Sequence, residues 1–224
     1  MNSTRALALY VFALLLPAGL DAATTLSLTR NDFDMSAIGA IDTDVFDLAL
    51  GAVSCAVKSG AVHNPPTLTV IDYSRPSSER RLWVFDLKSR ELLYEELVAH
   101  GQGSGAGMAT QFSNVHESHR TSLGLFVTDT AYVGKNGYSL RLDGLDHGFN
   151  DQARARAIVM HGAPYVSDGF VKATGRLGRS HGCPAVSELV ARQMIDRVKG
   201  GGLVFAYYPD AAWLKSSKFL GNCR

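Results

Sequence analysis

Two short stretches hold residue types that can do chemistry together. Cys183 follows Ser180-His181-Gly182 in GRSHGCPAV (178–186), and His161 sits in VMHGAPY (159–165). A cysteine with an ordinary pKa of about 8.5 is only a few per cent thiolate at neutral pH. An imidazole at about 6.5 can take its proton or hold it in an ion pair. Gly182 has no Cβ, so a substrate carbonyl can come close, and backbone N–H groups around Gly182 and Cys183 are suited to an oxyanion. These are the parts of acyl transfer through a covalent enzyme intermediate.

Other readings of the same residues carry less weight. A lone cysteine is usually a small core residue, but RSHGCPAV is too polar and glycine-rich for a core strand. Zinc held by His161, His181 and Cys183, with His116 and His119 in reserve, lacks the spacing of any common zinc site. His181 and Cys183 are also too close in sequence to reach one ion comfortably. The glycine-rich stretch 101–107 lacks the Lys-Ser/Thr ending of a phosphate loop, although His100 beside it is placed to line the same cleft. His147 reads as a turn histidine, Tyr138 and Tyr165 as residues that can pack on a substrate, and Asp146 and Glu117 as no carboxylate pair.

The elements around these residues are mainly strands. His161 ends the short apolar run RAIVMHG, where a rigid element delivers a side chain to a loop. The polar loop from Ala163 to Arg179 then returns the chain to the cysteine, so two arms of one loop converge. TLTVIDY, SLGLFVTD, YSLRLDGL and LVFAYY read as strands, and RLWVFDL with ELLYEELVAH as a hairpin around KSR. Two helices are expected. The first is capped by Asp42 or Thr43, carries Val45, Ala49, Val53 and Val57, and stops at Gly60. The second is capped by Ser187 and carries Leu189, Val190, Met194 and Val198. The sum is one mainly β domain, a sandwich or barrel, over residues 42–224, with residues 24–41 as a loose lead-in.

Composition bounds the setting. The 224 residues are 46% hydrophobic and 19% charged, which suits one globular domain. Lys plus Arg number 22 against 21 Asp plus Glu, so charge gives no reason to expect a nucleic-acid partner. Residues 1–23 read as a signal peptide: Arg5, an apolar run short for a membrane span, then Ala22 and Ala23, with an uncleaved N-terminal anchor as the alternative because Leu20 and Asp21 make the cleavage site imperfect. The mature protein is therefore expected outside the cytoplasmic membrane, in a periplasm or cell envelope, with no further span. Of the three cysteines, pairing Cys55 with Cys223 is the economical arrangement and leaves Cys183 free.

HGAPY followed by SHGC resembles the signature of the L,D-transpeptidase catalytic domain family (YkuD-like), in its murein L,D-transpeptidase branch. LTVIDYSRPSSERRLWVFDL, VAHGQGSG and GKNGYSLRLDGLD are similar to that branch too, so the resemblance covers roughly residues 42–209. It implies a β-rich sandwich acting on peptidoglycan stem peptides, with no cofactor and no metal. Cys183 matches the family nucleophile and His161 its base. The carbonyl of Gly162 would orient the ring, while Ser180, His181 and Gly182 shape the oxyanion site. The thiolate would expel the terminal D-alanine, and the amine of a second stem would resolve the thioester into a three-to-three cross-link. Water in its place would make the protein an L,D-carboxypeptidase or amidase, and an idle wall-binding module is the reading from another class. One departure stands out: Pro184-Ala185 occupies the stretch where many members carry Arg or Asn. Arg176 and Arg179 are the substitutes available for binding stem carboxylates.

Overall fold

The computed structural model describes residues 27–221 and Cys223. The signal peptide expected over residues 1–23 lies outside the described residues. Helix α1 runs Thr43–Lys58. Its cap is Asp42, whose carboxylate accepts from the N–H groups of Asp44 at 2.9 Å and Val45 at 3.1 Å, two donors with no partner inside the helix. Val45, Phe46, Ala49 and Val53 face the core, and Ser59 closes the helix ahead of Gly60.

Eight strands form one mixed sheet: β1 (Thr67–Asp72), β2 (Leu82–Asp86), β3 (Leu92–Glu96), β4 (Gly124–Gly134), β5 (Gly137–Gly144), β6 (Val159–Ala163), β7 (Ala185–Ser187) and β8 (Leu203–Tyr207). Their order is β3-β2-β1-β8-β4-β5-β6-β7. The β1–β8 and β6–β7 pairs are parallel, and the others antiparallel. The hairpin expected around KSR is the β2–β3 pair. Beyond β3 the chain runs on to the far edge of the sheet, where the Ala99 N–H donates to the Ala185 carbonyl at 2.8 Å. A second bridge joins Gly101 to Ser180. The sheet therefore curls until its two edges meet, a nearly closed barrel that leaves little unpaired edge. Cys183 lies on the seam, between those two bridges.

Helix α3 (Glu188–Val198) starts where expected, with the Ser187 hydroxyl accepting from the Leu189 N–H. It buries Ala191, Met194, Ile195 and Val198, whereas Leu189, expected on the apolar face, is 90% exposed. Short helices α2 (Asp168–Thr174) and α4 (Ala211–Ser216) were not expected. Neither is long enough to show a period: α2 buries no residue and α4 only Trp213.

Residues 27–41 correct the expectation of a loose lead-in. Leu28, Phe33, Ile38 and Ile41 are buried in the main core. The Phe33 ring meets Phe46 and Phe85 edge-on at 5.1 and 5.7 Å. Burying one such side chain contributes roughly 1.5–3 kcal/mol, enough to fix a strap that has no regular period of its own. Cys55 and Cys223 form a disulfide with Cα atoms 5.4 Å apart, tying the C-terminal segment to α1 and leaving Cys183 as the free cysteine. Such a bond persists in oxidising compartments. Among the described residues no helix is long and apolar enough to cross a membrane.

Candidate active site

Cys183 sits just before β7, and its sulfur lies against the backbone entering β6. The Val159 N–H donates to Sγ at 3.5 Å, and the thiol in turn faces the Ala157 carbonyl at 3.7 Å. The residue is 7% exposed. Burial pushes the thiol pKa up, and the Val159 N–H and the Arg156 guanidinium only partly offset this. The resting group is therefore a neutral thiol.

His161 follows on the same strand, two residues past Val159. Strand alternation puts both on one face of the sheet, while Met160 between them points into the main core. The imidazole is 5% exposed, and burial lowers its pKa despite a bond from Nδ1 to the Gly162 carbonyl at 2.9 Å. A carbonyl can only accept, so the neutral ring carries its proton on Nδ1 and Nε2 keeps a lone pair. Residue 162 is glycine because α3 crosses there: an added Cβ would lie 2.9 Å from the Ala191 Cβ and 3.3 Å from the Glu188 Cα.

Ser180 holds the turn that carries Cys183. Its hydroxyl donates to the Cys183 carbonyl at 2.6 Å and accepts the Gly182 N–H at 3.1 Å. The Gly182 N–H, expected to serve an oxyanion, is thus already engaged in this state. Gly182 itself has a φ of 119°, and a Cβ there would meet the Arg120 carbonyl oxygen at 2.8 Å. His181 is exposed and stacks on His119, with centroids 4.2 Å apart and planes 9° from parallel.

The remaining expected residues divide. Tyr165 stays close: burial, and secondarily the nearby Cys183, push its phenol up to about 12. Arg179 braces the 102–105 loop by donating to the carbonyls of Gln102 and Gly105, and Arg176 donates to the carbonyl of Leu177. His100 does not line the cleft. It is fully buried, and its Nδ1 accepts from Arg81 Nη2 at 2.8 Å. Arginine can only donate, so the proton sits on Nε2, which is buried with no hydrogen-bond partner among the described residues. Burial first, and then Arg81, lower the His100 pKa to about 4. Among the described residues no three His, Cys, Asp or Glu side chains gather as a metal site.

One residue was missed in the sequence. Arg156, in the run ARARA before β6, is a half-buried cation that favours the Cys183 thiolate. Its guanidinium donates to the carbonyls of Ser113 at 2.6 Å and Arg120 at 2.7 Å, and to the hydroxyls of Ser118 and Ser122. It thereby pins the 113–122 loop that carries His119. The one available signal was an arginine alternating with alanines immediately before the strand that ends in His161.

Comparison with known proteins adds the family. No curated protein matches this chain. Among solved structures, an L,D-transpeptidase from Mycobacterium smegmatis is 16% identical with a TM-score of 0.40, over 64% of this chain and 59% of that one. An L,D-transpeptidase from Stackebrandtia nassauensis is 13% identical at 0.40, over 79% and 75%. The helical cell shape determining protein Pgp2 from Campylobacter jejuni is 11% identical at 0.42, over 64% and 48%. The chain thus spans 59% of the length of the first of these structures. The decisive match is to the model of the L,D-transpeptidase catalytic domain over residues 38–207, which takes in the helix, all eight strands and both halves of the site. The chain belongs to the L,D-transpeptidase catalytic domain family.

Proposed function

We propose that this protein is an exported cysteine enzyme that transfers acyl groups between peptidoglycan stem peptides. The observation that carries the reading is the seam. The free cysteine has its sulfur against the Val159 backbone, and His161 follows on the same strand with Nδ1 held by Gly162 and Nε2 open. Nε2 takes the thiol proton as Sγ attacks the carbonyl of the diamino acid at stem position three. The tetrahedral intermediate collapses to a thioester, and the imidazolium returns that proton to the departing D-alanine amine. The amine of a second stem then loses a proton to Nε2, attacks the thioester and regenerates the thiol. Tyr165, Arg176 and Arg179 border the donor, and His181 borders the carbonyl. Water as the resolving nucleophile would give the carboxypeptidase outcome from the same first half-reaction.

The test is incubation of the mature protein with purified tetrapeptide muropeptides, under conditions that keep Cys183 reduced. Dimers lacking one D-alanine are expected, and shortened monomers would assign hydrolysis instead. Cys183→Ala should leave the substrate unchanged and the unfolding midpoint near that of the parent. Unaltered substrate with the parent protein, together with no acyl-enzyme mass on Cys183, would refute the proposal.

A further inference from the structure

Along the backbone segment against which the sulfur rests lies a cavity of about 220 Å³ lined by Tyr132, Arg141, Leu142, Arg154, Ala157, Ile158 and Val159. Two of these residues also supply the backbone atoms that touch Sγ, Ala157 through its carbonyl and Val159 through its N–H. The sheet register carries the link further. Arg141 on β5 pairs with Val159 on β6, and Ser139 pairs with His161. Laterally paired residues point to the same face of a sheet. The Arg141 side chain therefore shares a face with the imidazole, one strand over from the strand against which the sulfur rests. The neighbours Leu140 and Met160 turn the other way, into the main core, while the core residues Leu142 and Ile158 close the apolar side of the cavity.

The two guanidinium groups of the cavity are not equivalent. Arg154 is neutralised, donating to Asp143 at 2.6 Å and Asp129 at 2.7 Å. Asp129 also feels the Arg141 charge, but Arg154 holds both of these carboxylates by hydrogen bonds. Arg141 makes no ion pair within 4.0 Å among the described residues. It donates once, to the Thr130 hydroxyl at 3.2 Å, and lies over the Tyr132 ring with its centre 4.2 Å from the centroid. Stacking on an aromatic ring holds the planar fork in place and leaves its other donors open for a bidentate acceptor.

We propose that Arg141 binds a free carboxylate of the donor peptide in this cavity, making it a specificity-determining residue; this rests on the stem-peptide reading above. The test compares a donor tetrapeptide bearing its free carboxylates with versions in which each is singly converted to the carboxamide. Binding is measured on a Cys183→Ala background and acylation on the parent background. A charge-assisted pair lost from a half-buried site weakens binding by about tenfold or more. One of the carboxamides should show that loss, Arg141→Gln should remove the preference for the acid, and Arg141→Lys should restore part of it. Tight binding with no acid preference, or an equal loss of acid and amide on Arg141→Gln, would overturn the role of Arg141 while leaving acyl transfer intact. Acid-selective binding without an acyl-enzyme would instead overturn the enzyme reading and keep this site. Failure of every peptide to bind would overturn both.

Discussion

Gly182→Ala tests the seam most directly, because the structure separates the two costs of that change. The backbone at Gly182 has a φ of 119°, where an L side chain is strained, and the added Cβ would sit 2.8 Å from the Arg120 carbonyl and 3.0 Å from Ile158 Cδ1. A non-glycine residue held in a sparsely populated region costs about 1–3 kcal/mol. Overpacking against a carbonyl that cannot easily move adds about 1–3 kcal/mol. Gly60→Ala supplies the control: its φ is +72° but nothing lies within 4 Å of the new Cβ, so only the backbone cost of roughly 1–2 kcal/mol applies. Urea unfolding of both variants should place Gly182→Ala at least about 1 kcal/mol below Gly60→Ala. In a chain of this size that separates melting temperatures by about 2–4 °C or more. Both variants should still fold, since domains of this kind hold about 5–15 kcal/mol. The Arg120 carbonyl also accepts from Arg156 at 2.7 Å, so pushing it away disturbs the cation beside the thiol. Gly182→Ala should therefore lose acylation where Gly60→Ala keeps it. Equal destabilisation of the two variants would refute the packing of the cysteine turn against the 113–122 loop.

Acid should unfold the protein through its buried histidines. The folded-state pKa values of His100 and His161 lie below their ordinary value, so the stability they contribute is present above the unfolded value of about 6.5 and is lost as pH falls. For His100 that window runs from 6.5 down to about 4, and unfolding midpoints across it should fall steadily. Cys183 has the opposite sign: its raised pKa contributes stability below the unfolded thiol pKa that is lost as pH rises through the folded value. Its alkylation by iodoacetamide should accordingly have a midpoint above that of a free thiol. Reducing the Cys55–Cys223 bond, which spans a sequence separation of 168, should cost about 2–5 kcal/mol. Thiol counts on the unfolded chain should be one before reduction and three after. His161→Gln should abolish acyl-enzyme formation while leaving the far-ultraviolet dichroism unchanged.

Where chemistry or a strong local period left a mark, the sequence carried the structure. Asp42 and Ser187 were readable as caps because a short polar side chain ahead of an apolar helix has little else to do. The β2–β3 hairpin was readable because two alternating runs flank a tight turn. The disulfide was readable from an odd cysteine count and one cysteine already in a reactive motif. What escaped detection was set by contacts distant in sequence. Phe33 is buried only because Phe46 and Phe85 accept its ring, and nothing within residues 27–41 records that. His100 next to a glycine-rich loop looked like a cleft residue, yet it is the acceptor for a buried arginine 19 positions earlier. Arg156 lacked any motif, and its importance comes from the loop it holds and the sulfur it faces.

Burial acts on Cys183 and His161 in the same sense: it raises the thiol and lowers the imidazole. A thiolate–imidazolium pair formed at rest would place two charges where the surroundings favour none. The neutral pair is the ground state, with the thiol facing the Ala157 carbonyl and accepting from Val159. In the proposed reaction, proton transfer would then be timed with attack, when a bound carbonyl gives the sulfur a new bond and the imidazolium faces an oxyanion. Arg156 tilts this balance without reversing it, because its charge is spread over four acceptors in the 113–122 loop. In the proposed reaction such an arrangement would keep the thiol slow towards adventitious electrophiles and make its reactivity depend on what is bound at the seam.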